Sequence, residues 1–204
     1  MQSSLRSVGR STWASVRAMA LFTVLLGVVY ALVITGIGQL ALPWQANGSL
    51  RTDSQGNAVG SALIGQSFVD ATGAPLPEYF QPRPSAAGDG YDGGASGASN
   101  LGPENPDLVA AITERKSQVA RFNGVPESAV PADAVTASAS GLDPHISQEY
   151  AAIQVARVAQ ARHLDPAVVQ QVVAENTHGR ALGYLGESTV NVLDVNIALT
   201  ELKE

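Results

Sequence analysis

The chain has 204 residues, of which 45% are hydrophobic and 15% charged, and its formal net charge is −6. It is too apolar for a disordered chain, its length suits one ordinary domain of roughly 150 residues, and its acidity argues against nucleic acid as a partner. It contains no cysteine, which excludes a disulfide framework and a thiolate metal site.

The first predicted element is an uncharged apolar run over residues 18–42. As a helix it would measure about 37 Å, enough to cross a hydrocarbon layer of ~30 Å with some tilt. A cleaved signal peptide is the alternative, but its apolar region normally has only about 7–15 residues. Because the run is longer and ends at Pro43-Trp44, we favour an uncleaved transmembrane helix.

The charges flanking this run predict its orientation. Arg6, Arg10 and Arg17 precede it, and no acidic residue does. Because excess arginine stays on the cytoplasmic side, we expect residues 1–17 to be cytoplasmic and everything after the run to be extracytoplasmic. That external part has nine of the 12 basic residues and all 18 acidic ones, a net charge near −9 that argues further against nucleic acid.

Beyond the membrane, residues 43–58 are polar and predict a tether, and residues 59–204 predict a mixed α/β domain. Within that domain, β-branched and aromatic residues at 59–69 predict one or two strands. The two prolines in residues 78–85 predict ordered, extended chain. Residues 86–102, rich in glycine and serine, predict a long loop of the kind that is functional or mobile.

Capping signals place three helices in this domain. Asn105-Pro106 predicts a helix that ends at Asn123-Gly124. Ser147 predicts a second helix reaching about Ala161, and Asp165-Pro166 begins a third.

Three further segments of the domain show no clear helical periodicity of apolar residues. Residues 132–140 predict a strand or extended segment, and residues 183–186 predict a turn. Residues 190–202 fit either a strand followed by a helix or a single helix, since the apolar pattern does not distinguish them.

Small residues mark one line along the predicted membrane helix. Gly27, Ala31 and Thr35 recur every four residues, and Gln39 continues the series. Such spacing favours close packing against a partner helix, and a buried glutamine amide needs a hydrogen-bonding partner. The alternative is that glycine is simply common in membrane helices.

Catalytic and metal motifs are weak. Ser140, Asp143 and His145 lie within six residues, but triad members are generally far apart in sequence, and neither G-x-S-x-G nor S-x-x-K occurs. The spacing of His145, His163 and His178 matches no zinc pair, and His163 is expected near a helix C-terminus. The glycine-rich loop contains no G-x-x-x-x-G-K-[ST] motif. The sequence therefore predicts no catalytic residue and no metal site.

Several stretches taken in order carry a more specific signal, namely GSALIGQSF from Gly60, YFQPRPS from Tyr79, SNLGPENP from Ser99, VTASASGLDP from Val135 and NVLDVN from Asn191. This order resembles the C subunit of the potassium-transporting Kdp-type ATPase over about residues 18–202. One departure is SGASN, where the family commonly has SGGSN. If that second glycine requires a positive φ, Ala98 would be strained.

The resemblance implies an accessory, non-catalytic subunit of a high-affinity, ATP-driven potassium uptake complex in the bacterial plasma membrane. Its implied partners, besides the lipid bilayer, are a channel-like potassium-translocating subunit, a P-type ATPase catalytic subunit and a small accessory membrane subunit. It also implies a catalytic-chaperone role that raises the ATP affinity of the pump subunit. ATP and K+ are expected at the level of the complex, with no cofactor held firmly by this chain.

The family's ATP-binding label is difficult to reconcile with the arginine rule, since ATP is cytoplasmic and the domain is predicted to be external. An external cap that stabilises the complex fits the charges better. The alternative function is a free membrane-anchored envelope protein that binds a ligand or cell-wall component through residues 86–102.

The matched stretches supply the candidate functional or structural residues: Arg83, Ser85, Ser99, Asn100, Asp143, His145, Asn191 and Asn196. Arg83 lies between two prolines, and the favoured role is structural, either an ion pair or a cap on backbone carbonyls. Asp143 is expected to cap the following helix. Asn191 and Asn196 are expected to tie the C-terminal element to the sheet.

Overall fold

The computed structural model describes residues 2–202, with side chains from residue 8 onward. The chain forms two compact units, and the boundary between them falls between Ser49 and Leu50. We describe each unit by itself.

The first unit is helical. Helix α1 (Gln2–Val24) continues through a π-helical turn (Leu25–Val29) into α2 (Tyr30–Ala41), and a short α3 (Pro43–Ala46) follows. Residues 8–41 form the one helix in the described chain that is long and apolar enough to cross a membrane. The helix ends before Pro43 because proline has no N–H to donate to the preceding turn.

The second unit contains two small antiparallel sheets. Strand β1 (Leu50–Thr52) pairs with β2 (Ala58–Ser61). In the other sheet the central strand β5 (Thr189–Asn191) pairs with β3 (His145–Ser147) on one side and with β4 (Thr177–His178) on the other. The predicted fold class, a mixed α/β unit following one apolar N-terminal helix, is therefore confirmed.

Four α-helices complete the described part of this unit: α4 (Pro106–Asn123), α5 (Gln148–Arg162), α6 (Pro166–Glu175) and α7 (Val192–Glu201). The predicted caps are confirmed, because Asn105, Ser147 and Asp165 each accept a backbone N–H of the first helical turn. At the other end of α4 and α5, Gly124 and His163 take left-handed conformations that stop the helix.

Two of three local predictions differ from the structure. Residues 132–140 form no strand; a short 3₁₀ helix (Ala132–Ala134) is followed by bends in which Thr136 and Ser138 bond to nearby backbone groups. Residues 59–69 contain three of the four residues of β2, so one strand is present there as predicted, and the chain leaves the sheet after Ser61. Residues 43–58, predicted as a tether, contain α3, β1 and the start of β2.

The core of the second unit lies between the three-stranded sheet and helices α5, α6 and α7. Its fully or almost fully buried apolar side chains include Phe80, Ile146, Val158, Val169, Val190, Val195 and Leu199. Of these, Phe80 comes from an extended segment that belongs to no strand. This burial removes its backbone from water and requires other hydrogen-bonding partners.

Side-chain amides supply those partners. Asn196 of α7 accepts from the Phe80 N–H at 2.8 Å and donates to the Phe80 carbonyl at 3.0 Å. Gln154 of α5 repeats the pattern one residue later, accepting from the Gln81 N–H at 2.7 Å and donating to its carbonyl at 3.1 Å. Two amides thus replace the missing β-ladder, and they connect the segment to two helices.

Two arginines of α5 bind the carbonyls just before this point. Arg157 donates to the carbonyls of Pro77 and Tyr79, and Arg162 donates to the carbonyls of Glu78 and Leu199. Burial of the Arg157 guanidinium lowers its pKa to about 10, so it stays charged at neutral pH. We call Phe80 and Gln81 the buried segment, since both residues are buried and side chains of α5 and α7 hold their backbone.

Replacing Asn196 with Leu tests this arrangement. The change keeps the side chain near its volume but leaves the buried Phe80 N–H and carbonyl unpaired. We expect a loss of about 2–4 kcal/mol in the free energy of unfolding, measured by urea denaturation of the detergent-solubilised chain. As a control, Gln118→Leu changes an exposed amide that bonds only to Glu114 on the same helix, and should shift stability by less than about 0.5 kcal/mol. Equal stability of Asn196→Leu and wild type would contradict this account.

Candidate functional site

Arg83 lies just after the buried segment, where three of the matched sequence stretches meet. Pro82 and Pro84 restrict the backbone on either side of it. The Tyr91 hydroxyl donates to the Arg83 carbonyl at 2.7 Å, and the Ser138 N–H donates to the Pro84 carbonyl at 3.1 Å. The direction of the arginine side chain therefore rests on a backbone that is fixed from both sides.

The arginine forms the predicted ion pair. Arg83 Nη1 lies 3.0 Å from Asp143 Oδ2, and its other terminal nitrogen donates to the Thr136 carbonyl at 3.5 Å. The second carboxylate oxygen of Asp143 accepts from the His145 N–H at 3.0 Å and lies 3.3 Å from His145 Nδ1. We call Arg83, Tyr91, Asp143 and His145 the Arg83 cluster.

The surroundings set the charge of this cluster. Partial burial disfavours the Asp143 carboxylate, but the hydrogen bonds from His145 and the charge of Arg83 outweigh it, so the pKa of Asp143 lies below its usual value. Burial, with the negative charge of Asp143, raises the pKa of Tyr91. At neutral pH the cluster therefore contains an ionised Arg–Asp pair beside a neutral tyrosine hydroxyl.

Two glycines allow the chain to approach the cluster closely. A Cβ at Gly65 would lie 2.4 Å from the Tyr91 ring and 2.8 Å from the Asp143 carbonyl oxygen. A Cβ at Gly141, where φ is +70°, would lie 2.7 Å from both the Ala87 Cβ and the Gly97 carbonyl. Only glycine fits at these two positions without displacing its neighbours.

The glycine-rich loop is bound to this region. The Ser85 hydroxyl donates to the Gly141 carbonyl at 2.6 Å and accepts from the N–H groups of Ala87 and Tyr91. Further along, the Ser96 hydroxyl and the Gly97 N–H both donate to the Ser140 carbonyl, at 2.8 and 2.9 Å. The first part of the loop is thus closed onto residues 138–141.

The other predicted site residues lie apart from the cluster. Ser99 and Asn100 are exposed, and Asn100 has a φ of 54°. Asn191 caps α7 and donates to the Ala62 carbonyl at 2.9 Å, while Asn196 holds Phe80. The backbone of Ala98 has no positive φ, so the departure from the family pattern introduces no strain there.

The prediction that Asp143 caps the following helix is wrong. Asp143 accepts from the N–H of His145, two residues later, and caps no helix. The cap of α5 is Ser147, whose hydroxyl in turn donates to Asp133 at 2.8 Å. Asp143 lies before β3, and the whole of that strand separates it from the start of α5. Its carboxylate is therefore too far upstream to cap the helix.

Sequence reasoning missed Tyr91, Gln154 and Arg157. Tyr91 has no motif around it, and its role depends on loop closure. Gln154 and Arg157 are four and seven residues after the buried Tyr150, so helical spacing already placed them on an inward face of α5. Because glutamine and arginine side chains are usually exposed, the spacing alone does not predict that Gln154 and Arg157 are buried.

The arrangement offers few reactive contacts. The Ser140 hydroxyl lies 3.2 Å from that of Ser138 and accepts from the Leu142 N–H, and in the described residues it has no hydrogen bond with His145. No group of three His, Cys, Asp or Glu side chains in the part of the chain that the structure describes is placed to hold a metal ion. What the cluster does is fix the relative positions of three chain segments.

The π-helical turn contains Gly27, the first residue of the four-residue series predicted to pack against a partner helix. The Tyr30 N–H donates to the Leu25 carbonyl, five residues back, which widens the helix around Gly27. Ala31, Thr35 and Gln39 follow in regular α2, all exposed. The Gln39 side chain accepts from the Asn47 amide at 3.1 Å, a contact within the first unit.

Acid unfolding tests the charge of the cluster. Since the pKa of Asp143 is lowered from 3.8 in the folded chain, its contacts contribute fully above about pH 4 and are lost as pH falls through the folded pKa. We expect the Tm of the wild type to fall between about pH 4 and pH 2, and that of Asp143→Asn to fall less over the same range. Asp89→Asn, which changes an exposed carboxylate, should keep the wild-type slope. Identical slopes for all three proteins would refute this role.

Comparison with known proteins gives consistent matches. The family model for the K+-transporting ATPase, c chain, matches residues 12–201. Among curated relatives, the potassium-transporting ATPase KdpC subunit of Beijerinckia indica is 52% identical over 182 residues, covering 89% of each chain. The subunit of the same name from Kineococcus radiotolerans is 50% identical over 199 residues, covering 98% of this chain and 97% of the relative. That from Gemmatimonas aurantiaca is 55% identical over 177 residues, covering 86% and 85%.

Proposed function

Because the chain belongs to the family of the K+-transporting ATPase c chain, we propose that it acts as the accessory subunit of an ATP-driven potassium uptake complex. In this role it stabilises the assembly and assists the catalytic pump subunit. The observation that carries the proposal is the family match from residue 12 to residue 201, which includes the apolar helix, the Arg83 cluster and α7.

The partners in this proposal are a channel-like potassium-translocating subunit, a P-type catalytic subunit and a small accessory subunit. ATP and K+ are bound by those partners. The Arg83 cluster supports this division, since its Arg–Asp charges neutralise each other and its one hydroxyl, that of Tyr91, donates to a backbone carbonyl. Its chemistry is that of a scaffold.

The orientation in this proposal places the second unit outside the membrane. Three arginines precede the uncharged apolar run of residues 18–42, and all acidic residues follow it. Since ATP is cytoplasmic, any rise in the ATP affinity of the pump subunit then passes through contacts between subunits. Such an effect is a coupling free energy between separate sites, and it requires this chain to bind one state of the pump better than another.

A free envelope protein that binds a ligand through its glycine-rich loop receives less support. The first part of the loop is bound to residues 138–141 by the hydrogen bonds of Ser85, Ser96 and Gly97. A loop closed in this way presents few unpaired groups to a ligand.

Leucine substitutions in the membrane helix test the assembly role. A Cβ at Gly27 would meet nothing within 4 Å, so leucine there leaves this chain's own fold intact. We expect Gly27→Leu with Ala31→Leu to reduce recovery of the pump and channel subunits by roughly tenfold in mild-detergent purification, because bulk prevents close helix approach. Potassium-stimulated ATP hydrolysis in membranes should fall in parallel.

The control is Ala18→Leu, which adds bulk nine residues before Gly27, about two and a half turns away and therefore on the opposite face of the helix. Undiminished recovery with both test leucines present would remove the packing claim. Recovery of the wild-type chain alone, across several gentle detergents, would contradict the subunit proposal itself.

A further inference from the structure

A tight turn between β4 and β5 presents an apolar tip. Ala181 and Leu185 exchange two backbone hydrogen bonds of 2.9 Å, and the Gly183 N–H donates to the Arg180 carbonyl at 3.0 Å. Leu182 and Gly183 at the tip have φ values of 55° and 83°. We call residues 180–185 the leucine turn.

The apolar side chains of this turn face solvent. Leu182 is 81% exposed and Tyr184 69%, the highest values for large hydrophobic residues in the described part of the second unit. Leu185 beside them is 50% exposed. Three exposed apolar side chains on one short turn form a patch of the kind that marks interaction sites.

The backbone of Leu182 makes this exposure more informative. Two consecutive positive φ values define a turn in which asparagine, aspartate or glycine is strongly preferred at the first position. A leucine in the left-handed region is strained, because its Cβ approaches the following carbonyl oxygen. Since the side chain is exposed, the second unit recovers nothing from this residue through packing. Strain of this type points to a function outside the unit.

The charge of the turn differs from that of its surroundings. Residues 177–186 contain Arg180 and no acidic residue, in a part of the chain with twice as many acidic as basic residues. Within the described residues, Arg180 forms no ion pair. The leucine turn is therefore an apolar and positively charged tip on an acidic unit.

We propose that the leucine turn docks into an apolar pocket, with a carboxylate at its edge, on another subunit of the same complex. The proposal rests on the subunit function proposed above. A fixed and strained turn favours a protein pocket over a lipid surface, because fluid lipid accepts leucine and tyrosine in any backbone conformation. A turn held by three backbone hydrogen bonds is preorganised, so little side-chain or loop ordering opposes binding.

Leu182→Asn separates docking from folding. Asparagine tolerates the left-handed region, so the Tm of the full chain in detergent should stay the same or rise. Binding of that chain to the remaining subunits, purified without it, should weaken by at least about tenfold because the apolar anchor is lost. Tyr184→Ser should weaken binding in the same direction. Val109→Gln, which changes a 52% exposed side chain on α4, should alter neither quantity.

A fluorescent probe distinguishes the occupant. The chain contains no cysteine, so Glu187→Cys, at an exposed position two residues after the leucine turn, provides a single labelling site that leaves Leu182 in place. In nanodiscs containing brominated lipid, we expect the label to be unquenched in the chain alone and shielded from aqueous iodide only after the other subunits are added. Quenching by brominated lipid in the chain alone would overturn the proposal in favour of a membrane contact.

Unchanged binding of Leu182→Asn would also overturn the proposal, as would a label that stays open to iodide in the full complex. These outcomes concern the leucine turn alone. Failure of the wild-type chain to bind the other subunits would count instead against the subunit function.

Discussion

The second unit depends on how a buried backbone without strand partners is satisfied. Phe80 and Gln81 lie in the core as extended chain, and an unpaired N–H or carbonyl there would be costly. Asn196 and Gln154 reproduce the donor and acceptor pair of a neighbouring strand, and Arg157 and Arg162 bind the preceding carbonyls. Because these four side chains come from α5 and α7, the same contacts fix both helices around Phe80. Removing Asn196 or Gln154 leaves a buried backbone N–H and carbonyl without their side-chain partner.

The Arg83 cluster is a consequence of that constraint. The buried segment delivers Arg83 to the turn that carries Asp143, and the ion pair then joins the proline-rich stretch to β3. Gly65 and Gly141 permit the close approach that lets the glycine-rich loop fold back on the same turn. Stretches far apart in sequence thus converge on one structural joint. Such a joint gives a subunit defined outer surfaces, and the leucine turn is one surface that the core leaves exposed.

The sequence predicted what is local and missed what is distant. Asn105, Ser147 and Asp165 cap helices through bonds within two or three residues, so a short motif was enough to place them. The pairing of Gln154 with Gln81 spans 73 residues, and no local pattern encodes it. The small, partly β-branched composition of residues 132–140 predicts a strand or extended segment, because it does not reveal the serine and threonine bonds to nearby backbone. The sequence predicts only one member of the Arg83–Asp143 pair. The two flanking prolines indicate that the arginine has a fixed direction, but they do not identify its partner.

The central claim is that the second unit acts from outside the membrane, through contacts with other subunits. Its most direct test is labelling of single cysteines, at Ala95 and separately at Ser3, with a membrane-impermeant maleimide in right-side-out vesicles that contain the whole complex. The account predicts rapid labelling of Ala95→Cys before permeabilisation and labelling of Ser3→Cys only afterwards. The reverse pattern would place the second unit beside cytoplasmic ATP and contradict the account.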